Sequence, residues 1–114
     1  MELTEQEYRA LEDIVGAEYI SKDLAIRDTY NQVWGNKLVF GEKWSPRPVA
    51  VLLPGNTEEV QAIVKVCNRY GIQFKPFSSG FEITAIGLAS EKGIMLDLRR
   101  MDRILEIDVK TCML

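Results

Sequence analysis

Two short apolar runs separated by one helix-like segment, within residues 49–77, constrain the fold more than any other feature of the sequence. The first run, "VAVLLP", is continuous and stops at a proline, which is typical of a strand covered on both faces of a parallel sheet. The second run, "IQFKP", has the length of a short strand. A strand, a helix and a strand at this spacing predict a βαβ unit with parallel pairing and a right-handed crossover.

The helix between these runs carries start and stop signals. Asn56 or Thr57 is placed to cap its first turn, where two glutamates also favour the positive end of the helix dipole. Gly71 ends the helix. The apolar face of this helix is formed by Val60, Ile63, Val64 and Cys67. A cysteine on such a face is expected to pack as a small hydrophobic residue.

Regular elements are also predicted on both sides of this unit. The capping box Thr4–Glu7 starts a helix that Gly16 ends, and residues 22–31 predict a second helical stretch. Residues 34–48 contain glycines and prolines and predict irregular chain. Further strands are predicted at 94–98, at 103–108 and, from "TCML", at the end of the sequence. These elements predict an α/β fold with a small, mostly parallel sheet flanked by helices.

The composition excludes several classes of function. The 114-residue chain carries 14 Lys and Arg against 17 Asp and Glu, a net charge of −3, so nucleic-acid binding is not expected. It contains no histidine, which is the usual general base of hydrolases and the commonest zinc ligand, and its two cysteines form no CxxC. No apolar run approaches the roughly 20 residues that span a bilayer. The acidic N-terminus is no signal peptide. We therefore expect a cytoplasmic protein with no metal and no membrane partner.

The loop after the second strand, "PFSSGFEITAIG" at 76–87, is the candidate binding site. It follows the carboxyl end of a parallel strand, where open α/β sheets bind ligands. Gly80 and Gly87 let a ligand approach the backbone closely, and consecutive N–H groups can hold an anion such as a diphosphate. Glu82 fits such a site only if its carboxylate points to solvent. The loop matches neither GxGxxG nor a P-loop, and its composition alone favours an ordinary strand-to-strand loop over a phosphate site.

Several segments, taken in order, resemble the flavin-binding domain of the vanillyl-alcohol oxidase and p-cresol methylhydroxylase family. "SPRPVAVLLPGNTEEVQAIVKVCNRYGI" resembles the first strand and helix of that domain, and "PFSSG" resembles its diphosphate loop. "GIMLDLRRMDRILEID" is similar to the run that ends the match, and "ALEDIVGAEYIS" to the helix that often precedes the domain. The resemblance covers nearly the whole chain, and it reverses the preference for an ordinary loop.

This resemblance implies an FAD site. In the family, FAD lies between two α/β subdomains and loop amides hold its diphosphate. Two prolines would shape the ends of the strands that face the cofactor, and many members attach the flavin to a histidine in the loop. Phe81 stands at the matching position, so the resemblance implies FAD held without a histidyl bond. The residues placed at the cofactor are Pro54, Pro76, Ser78, Ser79, Gly80, Phe81, Glu82 and Gly87.

The resemblance also divides the chain into a helical lead-in over 1–45 and an incomplete first subdomain of a PCMH-type FAD-binding domain over 46–114. The second subdomain and the substrate domain would follow, so we expect a fragment, truncated at its C-terminus, of an FAD-dependent oxidoreductase. Its parent would transfer a hydride from an alcohol, phenol or hydroxyacid to the flavin. The small-molecule substrate would bind only in the parent, and the fragment alone, with no catalytic residue, is expected to be inactive.

An interpretation of another class is a non-catalytic α/β interaction module with no cofactor, in which the loop is structural and a sheet edge binds a partner. If the sheet is cut off at "TCML", we expect it to leave a strand edge uncovered, together with the face that would meet the second subdomain. Unguarded edges and apolar faces favour association, so a homodimer is expected.

Overall fold

The computed structural model describes residues 2–30, 47–78 and 93–113. No helix in these three stretches is both long enough and apolar enough to cross a membrane. The described elements, in chain order, are helix α1 (Glu5–Val15), a 3₁₀ turn (Ala17–Tyr19), strand β1 (Ile20–Ser21), helix α2 (Leu24–Asp28), strand β2 (Val51–Leu52), helix α3 (Thr57–Tyr70), strand β3 (Gln73–Phe77) and strand β4 (Gly93–Asp97).

Helix α1 begins and ends where the sequence predicts. The Thr4 hydroxyl accepts a hydrogen bond from the Glu7 N–H at 3.2 Å, and the Glu7 carboxylate accepts one from the Thr4 N–H at 3.0 Å. This reciprocal pair satisfies N–H groups that have no partner inside the helix. Gly16 ends α1 with a φ of 90°, a conformation that favours glycine. The predicted capping box is confirmed.

Helix α2 is shorter than the stretch predicted at 22–31. It starts after Asp23, whose carboxylate accepts hydrogen bonds from the N–H groups of the next turn, and it ends at Asp28. Arg27 on this helix is buried and donates from Nε to the Pro48 carbonyl at 2.6 Å, which ties α2 to the chain leading into β2. Residue 31 and most of the predicted irregular segment, 34–46, lie outside the described residues.

The four described strands form one sheet in the order β1-β2-β4-β3. Strands β2 and β3 are both parallel to β4, with Val51 opposite Met95 and Phe74 opposite Ile94. The predicted strand–helix–strand unit is present, but its two strands do not pair with each other. Strand β4 lies between them, because its five residues are all buried and apolar strands of this kind need a neighbour on each side.

Strand β1 is absent from the sequence prediction. It is two residues long and pairs antiparallel with β2, placing Ile20 opposite Leu52. A hydrogen bond from the Leu53 N–H to the Tyr19 carbonyl, 2.8 Å long, extends this pairing beyond the strand. A strand of two residues has no alternation to detect.

The central strands β2 and β4 are buried on both faces, whereas β3 is largely exposed. Helices α1 and α3 cover the first face, where Leu11 and Ile63 are fully buried. On the second face, Tyr30 packs with Val51, Met95 and the partly buried Phe77. Burial on both faces agrees with the continuous apolar character of "VAVLLP".

Helix α3 confirms its predicted ends. Asn56 is the N-cap, since its side-chain oxygen accepts from the Glu59 N–H at 2.8 Å, and Gly71 ends the helix in the left-handed conformation. The apolar face is rotated slightly from the predicted one. Its buried residues are Ile63 and Cys67, and the partly buried Val66 and Tyr70 pack against the same core. Val60 and Val64 are also only half-buried. Burial raises the pKa of the Cys67 thiol to about 11, in keeping with a packing role.

The strand predicted at 103–108 is not formed, and neither is the one predicted from "TCML". Residues 101–107 run without regular structure, and Asp108 and Met113 make an isolated antiparallel bridge around a turn. The Asp108 carboxylate accepts hydrogen bonds from the Lys110 and Thr111 N–H groups, a local pairing that competes with a strand. Two apolar side chains here are largely exposed, Leu105 at 83% and Val109 at 86%.

The cap of α3 gives a direct test of how this helix is stabilised. Replacing Asn56 with Ala removes the hydrogen bond to the Glu59 N–H, and we expect the free energy of unfolding to fall by about 1 kcal/mol. Asn68→Ala, at an exposed position of the same helix, is the matched control, and it is expected to change stability by less than about 0.5 kcal/mol. Denaturant unfolding measures both variants, and equal losses would contradict the assignment.

Candidate functional site

The carboxyl ends of β2, β3 and β4 meet at one edge of the sheet because the three strands are parallel. We call this the carboxyl edge, formed by residues 53–55, 78 and 98–100. The first turn of α3 lies beside it, since Glu59 accepts a hydrogen bond from the Gly55 N–H. The ring of Tyr19 also lies beside it, packed against the guanidinium of Arg100. Ligands of open parallel sheets bind at this kind of edge, so its polar groups define what the site can hold.

A buried carboxylate lies at the end of β4. The Asp97 side chain is 0% exposed, and the Tyr30 hydroxyl donates to its Oδ2 at 2.5 Å. Arg99 donates to the same oxygen from Nε at 2.8 Å, and its backbone N–H donates to Oδ1 at 3.1 Å. The ring of Tyr30 packs edge-on against Phe77, with centroids 5.1 Å apart. We call the trio of Tyr30, Asp97 and Arg99 the β4 network.

The β4 network fixes the charges of its members. Burial alone would raise the pKa of the Asp97 carboxyl, but hydrogen bonds from Arg99 and Tyr30 outweigh it and lower that pKa below its usual value. Burial and the hydrogen bond to Asp97 raise the pKa of Tyr30 to about 12. The hydrogen bond to Asp97 also raises the pKa of Arg99. At neutral pH the network therefore holds a carboxylate, a neutral phenol and a guanidinium.

Arg100 makes different contacts from the adjacent Arg99. Its guanidinium carbon lies 3.5 Å from the centroid of the Tyr19 ring, and Nη1 donates to the Leu53 carbonyl at 2.6 Å. Its Nη1 is also 4.0 Å from a carboxylate oxygen of Glu59. A Cβ at Gly55 would lie 2.7 Å from Nη2, so Arg100 fills the space beside this glycine. The side chain ties the ends of β4 and β2 to the 3₁₀ turn.

The N-terminus of α3 is closed by its own side chains. The Gly55 N–H donates to the Glu59 carboxylate at 2.6 Å, and the Glu59 N–H donates to the Asn56 side chain at 2.8 Å. A carboxylate already occupies the position that a phosphate takes in many nucleotide sites. An anion at this edge would therefore be held elsewhere, towards β3 and β4.

The structure describes three of the residues predicted at the cofactor. Pro54 is fully buried just after β2, and Ser78 is exposed just after β3. Pro76 is exposed within β3, opposite Leu96 and one residue before the strand ends, as suits a proline in an edge strand. The other predicted residues, Ser79, Gly80, Phe81, Glu82 and Gly87, lie outside the described residues.

The sequence prediction does not include the polar groups at the end of β4. The run "GIMLDLRR" predicts a strand, but that prediction assigns no role to Asp97, Arg99 or Arg100. A charged residue that closes a fully apolar strand is the available signal, because a carboxylate at such a position needs partners. Tyr30 carries no such signal, since it lies 67 residues before Asp97.

These features define an α/β protein whose parallel sheet offers polar groups at its carboxyl edge. The family model described as "FAD binding domain" matches residues 48–113, more than half of the chain. The chain belongs to this family. The resemblance seen in the sequence is thereby confirmed.

Two relatives and one solved structure illustrate the match. The chain is 26% identical over 106 residues to a D-2-hydroxyglutarate dehydrogenase of Xanthomonas citri pv. viticola, covering 93% of this chain and 21% of that protein. It is 32% identical over 76 residues to the glycolate oxidase subunit GlcD of Bacillus subtilis, covering 63% and 16%. A structure of p-cresol methylhydroxylase with substrate bound has a TM-score of 0.72 at 23% identity, covering 93% of this chain and 21% of that one. The chain thus spans about a fifth of the length of such proteins.

The donors described at the carboxyl edge fit part of an FAD molecule. A diphosphate requires hydrogen-bond donors, and the exposed Ser78 hydroxyl and the Arg99 guanidinium can supply them. Strands β3 and β4 bring them to the same edge, because Phe77 pairs with Asp97 and the Leu98 N–H donates to the Phe77 carbonyl at 2.8 Å.

Ionisation of Tyr30 tests the β4 network. The ordinary value for tyrosine is 10.0, and the pKa of Tyr30 is raised to about 12, so the folded protein holds this proton more tightly than the unfolded chain. The stabilisation is therefore fully present below pH 10 and is lost as the pH rises through about 12. We expect the difference in free energy of unfolding between wild type and Tyr30→Phe to follow this course.

A spectroscopic titration provides the matching readout. The chain has four tyrosines. In wild type Tyr30 should ionise late, near pH 12, in the ultraviolet absorbance of tyrosinate, and Tyr8, whose pKa is also raised by burial, should ionise above pH 10.0. Tyr30→Phe should lose this late step, whereas Tyr70→Phe, on α3, should keep it. A late step that persists in Tyr30→Phe would contradict the hydrogen bond to Asp97.

Proposed function

We propose that this chain binds FAD at its carboxyl edge, without a covalent bond, as the first FAD-binding part of an FAD-linked oxidase or dehydrogenase. The observation that carries the proposal is the family match over residues 48–113, which spans all three parallel strands. The shape of the edge agrees with it, since the loop that leaves β3 starts from an exposed Ser78.

The FAD diphosphate is proposed to lie against the loop at 76–87. The closed N-terminus of α3 supports this choice, because Glu59 already accepts the Gly55 N–H at 2.6 Å. The sequence of this loop includes small residues such as Ser79 and Gly80, which would let a phosphate approach backbone N–H groups. Phe81 stands where related proteins carry a flavin-linked histidine, and the chain has no histidine, so a histidyl-flavin bond within it is excluded.

The proposed parent reaction is the transfer of a hydride from a small alcohol, phenol or hydroxyacid. Bound FAD would supply the acceptor for that hydride. The names of the relatives, a D-2-hydroxyglutarate dehydrogenase and a glycolate oxidase subunit, support hydroxyacids as one class of substrate. The role of this chain in that reaction is to bind and orient the diphosphate end of the cofactor, and the substrate would be bound by the longer protein.

One observation supports the alternative, an interaction module without cofactor. The side chains of Ile104, Leu105, Ile107 and Val109 are largely exposed on the C-terminal segment. Exposed apolar groups of this kind favour association with another chain, including a second copy. Light scattering with and without FAD separates the two: the alternative requires a dimer and no FAD binding, whereas the primary proposal requires binding in either oligomeric state.

The central experiment is a titration of the purified chain with FAD, followed by flavin fluorescence or calorimetry. We expect saturable binding, and we expect acid precipitation to release all of the flavin into the supernatant because the link is non-covalent. Failure of the purified chain to bind FAD would rule out the proposal.

A variant at the loop locates the site. Gly80→Val adds a branched side chain where we propose that backbone N–H groups approach the phosphate, so FAD affinity should fall about tenfold or more. Ala25→Val, an exposed substitution on α2, is the control for adding the same side chain and should leave the affinity unchanged. Equal FAD affinity in wild type and Gly80→Val would move the site away from the loop.

A further inference from the structure

The geometry points to Arg99 as the cation that binds the FAD diphosphate, with Asp97 and Tyr30 as positioning residues that hold its guanidinium at the carboxyl edge. This inference rests on the proposed function, since it assigns a residue to the same site. It adds a binding residue outside the loop at 76–87, at the end of a different strand.

The first argument is the contrast between two adjacent arginines. Arg100 is 30% exposed and is occupied by the Tyr19 ring and the Leu53 carbonyl, so it serves the fold. Arg99 is 64% exposed, although Nε and Nη2 are both directed at Asp97. One side of its guanidinium is held by the protein, and most of the side chain remains accessible to a ligand.

The second argument concerns the buried carboxylate. Burying a carboxylate costs free energy that an apolar side chain would not, so stability alone gives little reason for Asp97 at a fully buried position. The β4 network does restrict Arg99: its side chain bonds to Asp97, and Nη2 lies 3.5 Å from the Tyr30 hydroxyl. A guanidinium held in this way loses little conformational entropy when it binds an anion.

The third argument concerns the ligand. Asp97 cancels the net charge of Arg99, so this pair attracts an anion through short hydrogen bonds and contributes little at long range. Arginine presents several N–H groups in a plane, which matches phosphate oxygens. Ser78 lies at the end of the neighbouring strand and offers a second donor at the same edge of the sheet. The oxygens of a diphosphate can accept hydrogen bonds from both donors, whereas binding of the flavin ring would not require them.

Ligand protection of wild-type protein tests this assignment directly. Phenylglyoxal modifies accessible arginines, and mass spectrometry follows each one. We expect saturating FAD, and also ADP, to slow modification of Arg99 severalfold, while riboflavin, which has no phosphate, leaves it unchanged. Arg69, in the last turn of α3 at the opposite edge, is the internal control and should react at the same rate throughout.

A pair of variants measures the size of the effect. Arg99→Gln should weaken the binding of FAD and of ADP by the same factor, about tenfold. Arg69→Gln should change neither. Because Arg99→Gln leaves Asp97 with one partner fewer, circular dichroism must show that the variant folds. The protection result stands whether or not it does.

The outcomes separate this inference from the proposed function. FAD binding without protection of Arg99, or protection by riboflavin as well as FAD, overturns the assignment of Arg99 and leaves FAD binding intact. Absence of FAD binding removes the proposed function, and the inference with it. Protection by FAD and ADP alone, together with parallel losses in Arg99→Gln, supports the assignment.

Discussion

Strand β4 is the constraint on which the rest of the described structure depends. It pairs with β2 on one side and β3 on the other, and each of its five residues is buried. Burial of its three apolar side chains, Ile94, Met95 and Leu96, contributes several kcal/mol to stability, and it requires cover on both faces. Helices α1 and α3 cover one face of the sheet, and Tyr30 packs on the other face. The positions of these helices follow from the need to enclose this strand.

The end of the same strand sets the electrostatics of the carboxyl edge. Asp97 is buried because it is the last residue of β4. Burying a carboxylate costs free energy unless hydrogen-bond donors surround it. Tyr30 and Arg99 are those donors, which links the second face of the sheet to the edge where we propose that FAD binds. Packing of the core and placement of a cation at the site are thus consequences of one strand.

Much of the local structure could be predicted from the sequence because the signals lie within a few residues of each other. The capping box at Thr4 and the cap and stop of α3 at Asn56 and Gly71 are of this kind. Strand β4 is also visible as an apolar run. The order of the strands is not, because pairing of β2 with β4 rather than β3 depends on contacts between distant parts of the chain.

The candidate site could also be predicted from the sequence only in part. Family motifs point to the loop that begins near Ser78, and the strand ends place the carboxyl edge. The β4 network depends on Tyr30 meeting Asp97 across 67 residues of sequence, which neither periodicity nor a motif can indicate. The prediction of a C-terminal strand is wrong for a local reason: Asp108 bonds to the backbone of its own turn, a signal that the alternating apolar residues obscure.

The position of β4 in the sheet also has a consequence for synthesis of the protein on the ribosome. Chains emerge N-terminal end first, and the strand that separates β2 from β3 is the last of the four to appear. Until Gly93–Asp97 has left the ribosome, β2 and β3 have no shared neighbour, and each presents unpaired backbone groups. Folding is slower when long loops must close before the strands they connect can form stabilising contacts. We therefore expect the nascent chain to remain incompletely folded, and most dependent on chaperones, while the residues that lead up to this strand are being translated.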